Sequence, residues 1–129
     1  METRLAPRLN IDIKIISKLD DEYQQKFSLA SGNKFEVRTL DISELGVGIL
    51  SKYFIPKGVV LDLDIEGKPL GLDRDISTKG EVRYCKFVRN LGYKCGIKFL
   101  NISQPDRKAI ADFISTYERR RASRVKLAD

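Results

Sequence analysis

The feature that most narrows what this chain folds into is a two-residue alternation of apolar and polar side chains. It recurs along most of the length and gives way once, near the C-terminus, to a helical period. Its clearest instance sets Val59, Leu61, Leu63 and Ile65 against Val60, Asp62, Asp64 and Glu66, the pattern of a strand with one buried and one solvated face. Ile11, Ile13 and Ile15 alternate with Asp12 and Lys14 in the same way. Phe27 and Leu29 precede a Ser31-Gly32-Asn33-Lys34 turn, and Phe35, Val37 and Thr39 follow it, so this stretch reads as a hairpin. Another strand runs through Val47, Ile49 and Ser51, and Pro56-Lys57-Gly58 and Glu66-Gly67-Lys68-Pro69 supply turns. Residues 70–80 give no assignment.

A last hairpin joins 81–88 to 93–100 across Arg89-Asn90-Leu91-Gly92. Pairing Val82 with Phe99, Tyr84 with Ile97 and Val88 with Tyr93 gathers its apolar residues on one face. In that register Tyr84 points into the core, and Cys85 and Cys95 point to opposite faces, where they cannot bridge.

At Ser103 the period changes. Ser103-Gln104-Pro105-Asp106 combines a capping hydroxyl, an early proline and an acid three positions on, which marks a helix start. Ile110, Phe113, Ile114 and Tyr117 then form one stripe that packs on the sheet. Many short antiparallel strands followed by one helix imply a mainly β fold, a small antiparallel six-stranded split β-barrel with a C-terminal α-helix. Its 129 residues make one domain. The expected organisation is a flexible arm over 1–9, a barrel over 10–102, a helix over 103–121 packed on the barrel, and a basic tail over 122–129.

Composition narrows the chemistry. The chain has no histidine, which removes the commonest general base and every Ser-His or Cys-His pair. Paired carboxylates such as Asp62 and Asp64 lie on the polar face of a strand and read as solvated, so no enzyme activity is expected. Two cysteines without a histidine or a third thiol cannot complete a four-ligand zinc site. Reduced thiols, no metal and no cofactor are expected. No apolar run approaches the roughly 20 residues that span a bilayer, and residues 1–8 are unlike a secretory signal. These readings predict a cytoplasmic protein with no membrane insertion. The net charge of +6 favours anionic partners without choosing among them.

Two short motifs carry the functional information. Arg4-Leu5-Ala6-Pro7-Arg8 places two guanidinium groups four residues apart on the arm; by itself this is also the look of a solvated basic terminus. Asp41, Ser43 and Gly46 follow in D-x-S-x-x-G spacing at a strand boundary, a pattern that an ordinary turn also satisfies. Both motifs in this order, on a small barrel with a terminal helix, resemble the PilZ domain, a bacterial family that binds the second messenger cyclic di-GMP. Gly58-Val59-Val60-Leu61, Gly80-Glu81-Val82-Arg83-Tyr84 and Gly96-Ile97-Lys98-Phe99 are similar to three of that family's strands. The sequence departs from the pattern in a longer insertion before Asp41, in Tyr84 where tryptophan is often seen, and in Thr3 before Arg4 where a further arginine accompanies binding of a stacked ligand dimer.

The resemblance implies a cyclic di-GMP receptor whose ligand-binding residues are Arg4, Arg8, Asp41, Ser43 and Gly46, with Tyr84 as a secondary contact. Elementary chemistry agrees. A guanidinium forks onto phosphate oxygens or guanine O6 and N7, and a carboxylate accepts from guanine N1–H and N2–H. A serine hydroxyl meets a phosphate or ribose oxygen, and a glycine lets backbone approach. Ligand would draw the arm onto the barrel near Asp41, and the ordered arm would signal to a protein partner in motility, exopolysaccharide, secretion or regulatory machinery. One rival is a basic barrel that binds single-stranded nucleic acid, which needs solvent-facing aromatics. Most of the aromatics fall on apolar faces, and Tyr23, Tyr53 and Tyr93 are the ones expected to be free, which ranks nucleic acid lower. The other rival is a protein-interaction module of the same fold that binds no nucleotide.

Overall fold

The computed structural model describes residues 6–20 and 34–128. Among them the elements are β1 (Leu9–Asn10), β2 (Lys14–Leu19), β3 (Lys34–Ile42), β4 (Gly46–Ser51), β5 (Val60–Ile65), a 3-10 turn (Lys68–Leu70), β6 (Ile76–Val88), β7 (Gly92–Phe99) and α1 (Gln104–Ala128). The strands lie in the order β1-β3-β2-β5-β6-β7-β4, and a further β3 to β4 pairing closes the ring. The result is the mainly β architecture that the alternation predicts, a closed six-strand barrel and one C-terminal helix.

Alternation drives the closure. Val37, Ile49, Leu61, Leu63, Val82 and Ile97 point inward from successive strands and are buried. Fully burying such a side chain stabilises by about 1.5–3 kcal/mol, so a slip of one residue in any strand would turn a whole apolar set into water. The unassigned stretch 70–80 resolves at Ile76, where β6 begins by pairing with Ile65 of β5. The hairpin read from Phe27 and Leu29 through the 31–34 turn, and the aromatic Tyr23, lie outside the described residues.

Two β-bulges set the outer face. In β3, Phe35, Val37 and Thr39 point inward, but Ile42 does too, because the ladder to β4 skips Leu40 between Thr39 and Asp41. The extra residue reverses parity, so Asp41 faces outward. In β6 the ladder to β7 skips Arg83 between Val82 and Tyr84. Val82 stays buried while Tyr84 is turned out and exposed. This corrects two expectations. Val82 pairs with Ile97, Tyr84 with Gly96, and Cys85 with Cys95. The two cysteines therefore face each other on the inner side, and Tyr84 is not a core residue. The expected register is off by two residues already at Val82, which meets Ile97 rather than Phe99, and alternation carried strictly through position 83 also puts every later side chain on the wrong face.

The helix starts as expected, with the Ser103 hydroxyl accepting from the Asp106 amide at 3.2 Å. Arg74 pairs with Asp106 across to the barrel, and Ile110 and Ile114 are buried. Tyr117, expected in the packing stripe, is instead exposed, its ring 6.3 Å from that of Phe113. Length explains it. The helix has 25 residues, about 37 Å at 1.5 Å per residue, against about 20 Å for a six-residue strand. Only its first turns have barrel beneath them. It also continues through 122–128, the stretch set apart as a tail, since no glycine or proline interrupts Glu118 to Ala128. Among the described residues, no helix is long and apolar enough to cross a membrane.

Candidate functional site

The end of the arm is held in the fold. Leu9 is buried and pairs with Ile42, and Asn10 pairs with Asp41, so residues 9 and 10 form β1 rather than a loose continuation of the arm. Apolar Leu9 is the sequence signal, isolated between polar neighbours. Thr39 secures the chain just beyond β1, since its hydroxyl accepts from the Ile13 amide at 2.8 Å and donates to the Ile11 carbonyl.

This anchoring delivers Arg8 to Asp41. Arg8 Nη2 lies 2.7 Å from Asp41 Oδ1, and Nη1 lies 3.5 Å from Ser43 Oγ. The same Oδ1 accepts from the Gly48 amide at 3.0 Å. Both side chains are about a quarter exposed. Among the described residues, Oδ2 accepts nothing, which leaves one carboxylate oxygen for an incoming donor. Arg4 lies outside the described residues.

Ser43 is buried and works within its own turn. Its hydroxyl accepts from the Leu45 and Gly46 amides at 3.1 and 3.2 Å, and its amide donates to the Gly46 carbonyl at 2.9 Å. Gly46 has no room for a side chain, because a Cβ there would sit 2.2 Å from the Ile97 carbonyl oxygen. The D-x-S-x-x-G spacing is thus a tight turn between β3 and β4 that aims Asp41. Glu44, at its tip, pairs with Arg107 of α1 at 3.0 Å and ties the turn to the helix.

From Asp41 the outer face continues as a row across four strands. Asp41 pairs with Gly48, Gly48 with Gly96, and Gly96 with Tyr84. Two adjacent residues without side chains make a low floor that their neighbours cover, the Asp41 carboxylate over Gly48 and the Tyr84 ring over Gly96. The fit is close at both ends. A Cβ on Gly48 would meet Asp41 Oδ1 at 2.7 Å, and one on Gly96 would meet the Tyr84 ring at 2.3 Å. Lys94 and Lys98 flank Gly96 on the same face of β7, and Lys86 Nζ stands 5.5 Å from the centre of the Tyr84 ring. The floor is therefore flanked by lysines as well as by Arg8.

Gly48, Gly96, Lys86, Lys94 and Lys98 were not singled out by sequence reasoning. The Gly46-x-Gly48 pair and the Lys94-x-Gly96-x-Lys98 alternation are visible in the chain, but only the bulges bring Asp41 and Tyr84 into their row. The aromatics also sort differently from expectation. Tyr53 is packed edge-on against Phe35 at 5.8 Å, whereas Phe54 and Phe87 are exposed and pack edge-on against Tyr93 at 5.8 and 5.5 Å.

Comparison with known proteins agrees with the fold. The PilZ domain model matches residues 2–116. Among solved structures, the Bacillus subtilis inhibitor of motility MotI/DgrA superposes with a TM-score of 0.74 at 15% identity, over 92% of this chain and 52% of that one. YcgR from Escherichia coli in complex with c-di-GMP gives 0.69 at 16% identity, over 98% and 50%. The PilZ domain of the same protein with c-di-GMP gives 0.62 at 13% identity, over 97% and 98%. The chain thus spans about half the length of the first two. Among curated proteins compared by sequence, none matches.

Proposed function

Because the chain belongs to the PilZ domain family, we propose that it is a receptor for cyclic di-GMP and that the Asp41-Gly48-Gly96-Tyr84 row is where a guanine lies. One observation carries the reading most. An arginine and a carboxylate are held together beside a tyrosine ring that lies over a glycine, and the outer face of that ring accepts a flat base. Asp41 Oδ2 accepts from guanine N1–H and N2–H. The Tyr84 ring, lying on Gly96, stacks its outer face on the base. Arg8 forks onto a phosphate or onto guanine O6 and N7, with Lys86, Lys94 and Lys98 facing the second phosphodiester. Arg4 supplies the other guanidinium of the arm. Ser43 and Gly46 act by shaping the turn, and through Ser43 by steadying Arg8.

In this reading ligand entry replaces part of the Arg8 to Asp41 contact, and the freed guanidinium re-forms its bonds on phosphate. The arm before β1 then changes course and presents a surface to a protein partner. Such a partner belongs to motility, exopolysaccharide, secretion or regulatory machinery. The YcgR structures with c-di-GMP and the motility inhibitor support this by likeness of fold.

Calorimetric titration tests the core of it. Cyclic di-GMP should bind in preference to GMP and cyclic AMP, because only a doubled guanine and doubled phosphate engage the arm and the row together. Equal heats for all three, or none, would refute the assignment. The exposed Phe54 and Phe87, with Lys52 and Arg89 nearby in sequence, favour single-stranded nucleic acid as a second reading. Retention of short oligonucleotides on a filter at low salt and their loss at high salt would support it.

A further inference from the structure

Beneath the Gly96 and Tyr84 end of the row, on the inner side of β6 and β7, lie the chain's two thiols. We propose that Cys85 and Cys95 are a reversible thiol–disulfide site that low-molecular-weight disulfides oxidise, and that its redox state sets the spacing of the floor above it.

Register makes the bond attainable. Cys85 and Cys95 are direct partners across β6 and β7, both are free thiols, and their sulfurs are 3.1 Å apart. Directly opposed residues in an antiparallel pair have Cα atoms about 4.5 or 5.5 Å apart, and both values lie within the roughly 4.4–6.8 Å that disulfides span. The sulfurs need to close by about 1 Å to reach the ~2.05 Å bond.

The two thiols differ in access. Cys85 is half-buried, and its sulfur accepts from the Ile55 amide at 3.4 Å. Cys95 is fully buried, and burial together with its bond to Cys85 raises its pKa. Reaction therefore begins at Cys85. Its thiolate attacks one sulfur of oxidised glutathione and expels the first glutathione thiolate. Cys95, giving up its proton, then attacks Cys85 Sγ and expels the second. The protein loses two protons and two electrons, and oxidised glutathione takes them up to become two molecules of glutathione.

The effect on the outer face comes from sequence adjacency. Tyr84 precedes Cys85, and Gly96 follows Cys95, so drawing the sulfurs together shifts the ring against the glycine it already touches. This part rests on the nucleotide reading above.

Full-length protein is treated with oxidised glutathione and weighed without reductant. The expected product is a monomer lighter by two hydrogens and restored by dithiothreitol, while Cys95→Ser stops at a glutathione adduct on Cys85. Wild type that keeps both thiols, or that also stops at the adduct, overturns the site. Titration of the oxidised and reduced forms with cyclic di-GMP should then show several-fold weaker binding when oxidised. Equal affinities overturn the link to the floor. Absence of binding in both forms counts against the ligand assignment, while the mass result still decides the disulfide.

Discussion

A single oxygen, Asp41 Oδ1, accepts from both Arg8 and the Gly48 amide, and that sharing separates the consequences of substituting each partner. Arg8→Ala removes an ion pair about a quarter exposed on each side but leaves the Asp41 carboxylate still accepting from the Gly48 amide. The melting temperature of the free protein should fall less than it does for Asp41→Ala. A charge-assisted contact to ligand is worth about 1.5–3 kcal/mol, so cyclic di-GMP binding should weaken by about one to two decades. Asp41→Ala should lose comparable affinity and also melt lower, because it strands the Gly48 amide as well as the guanidinium. Thermal melts paired with titrations check both; a large melting loss for Arg8→Ala with affinity intact would make the arm a structural element only. Gly48→Ala is sharper still. Its Cβ would meet the carboxylate at 2.7 Å, so Asp41 must swing away, and affinity should fall even though no ligand contact has been deleted. At this scale the sequence was readable where a residue acts through its type and its near neighbours. The turn made by Asp41, Ser43 and Gly46 qualifies. That Gly48, Gly96 and Tyr84 share one row with Asp41 follows only from cross-strand register, which composition and spacing do not carry, although Tyr84 was named through the family resemblance.

At the scale of elements, register was where reading by alternation failed, and it failed at a definite place. Every inward residue of β6 up to Val82 obeys the period of two, and Arg83 breaks it. One inserted residue moved Tyr84 outward and brought the cysteines face to face. Neither bulge has a glycine or proline to announce it, since Leu40 and Arg83 are ordinary strand residues. Elsewhere the strands are joined by charge in a way that pH can interrogate. Lys79 of β6 lies 2.8 Å from Asp62 of β5 and 3.0 Å from Asp20, just past β2. Hydrogen bonds to these two carboxylates raise its pKa to about 12. A cation with a raised folded pKa stabilises fully below its unfolded value of about 10.5, and that contribution is lost as pH rises through the folded one. Lys79→Met should therefore unfold at lower denaturant than wild type near neutrality, and the difference should vanish as pH climbs from about 10.5 to about 12. A gap that persists unchanged at the alkaline end would show that Lys79 acts through its methylene stem alone.

At the scale of the whole molecule, fold class and the order of strand and helix were legible because burial imposes its period on every strand and stripe. The extent of α1 was not, since a helix that outruns its barrel no longer needs an apolar face to continue. The closure of β3 on β4 has a consequence for how this protein meets others. A ring of strands has no long row of unsatisfied backbone amides and carbonyls at a rim. Among the described residues the longer exception is the far end of β6, where the ladder to β5 stops at Glu81 and Tyr84 to Val88 pair with β7 alone. Where the ring is closed, an extended peptide cannot dock by lengthening the sheet, the mode in which main-chain hydrogen bonds supply most of the affinity. Recognition along those strands must instead read side chains and loop shapes, so single substitutions there can abolish one association and leave the others standing.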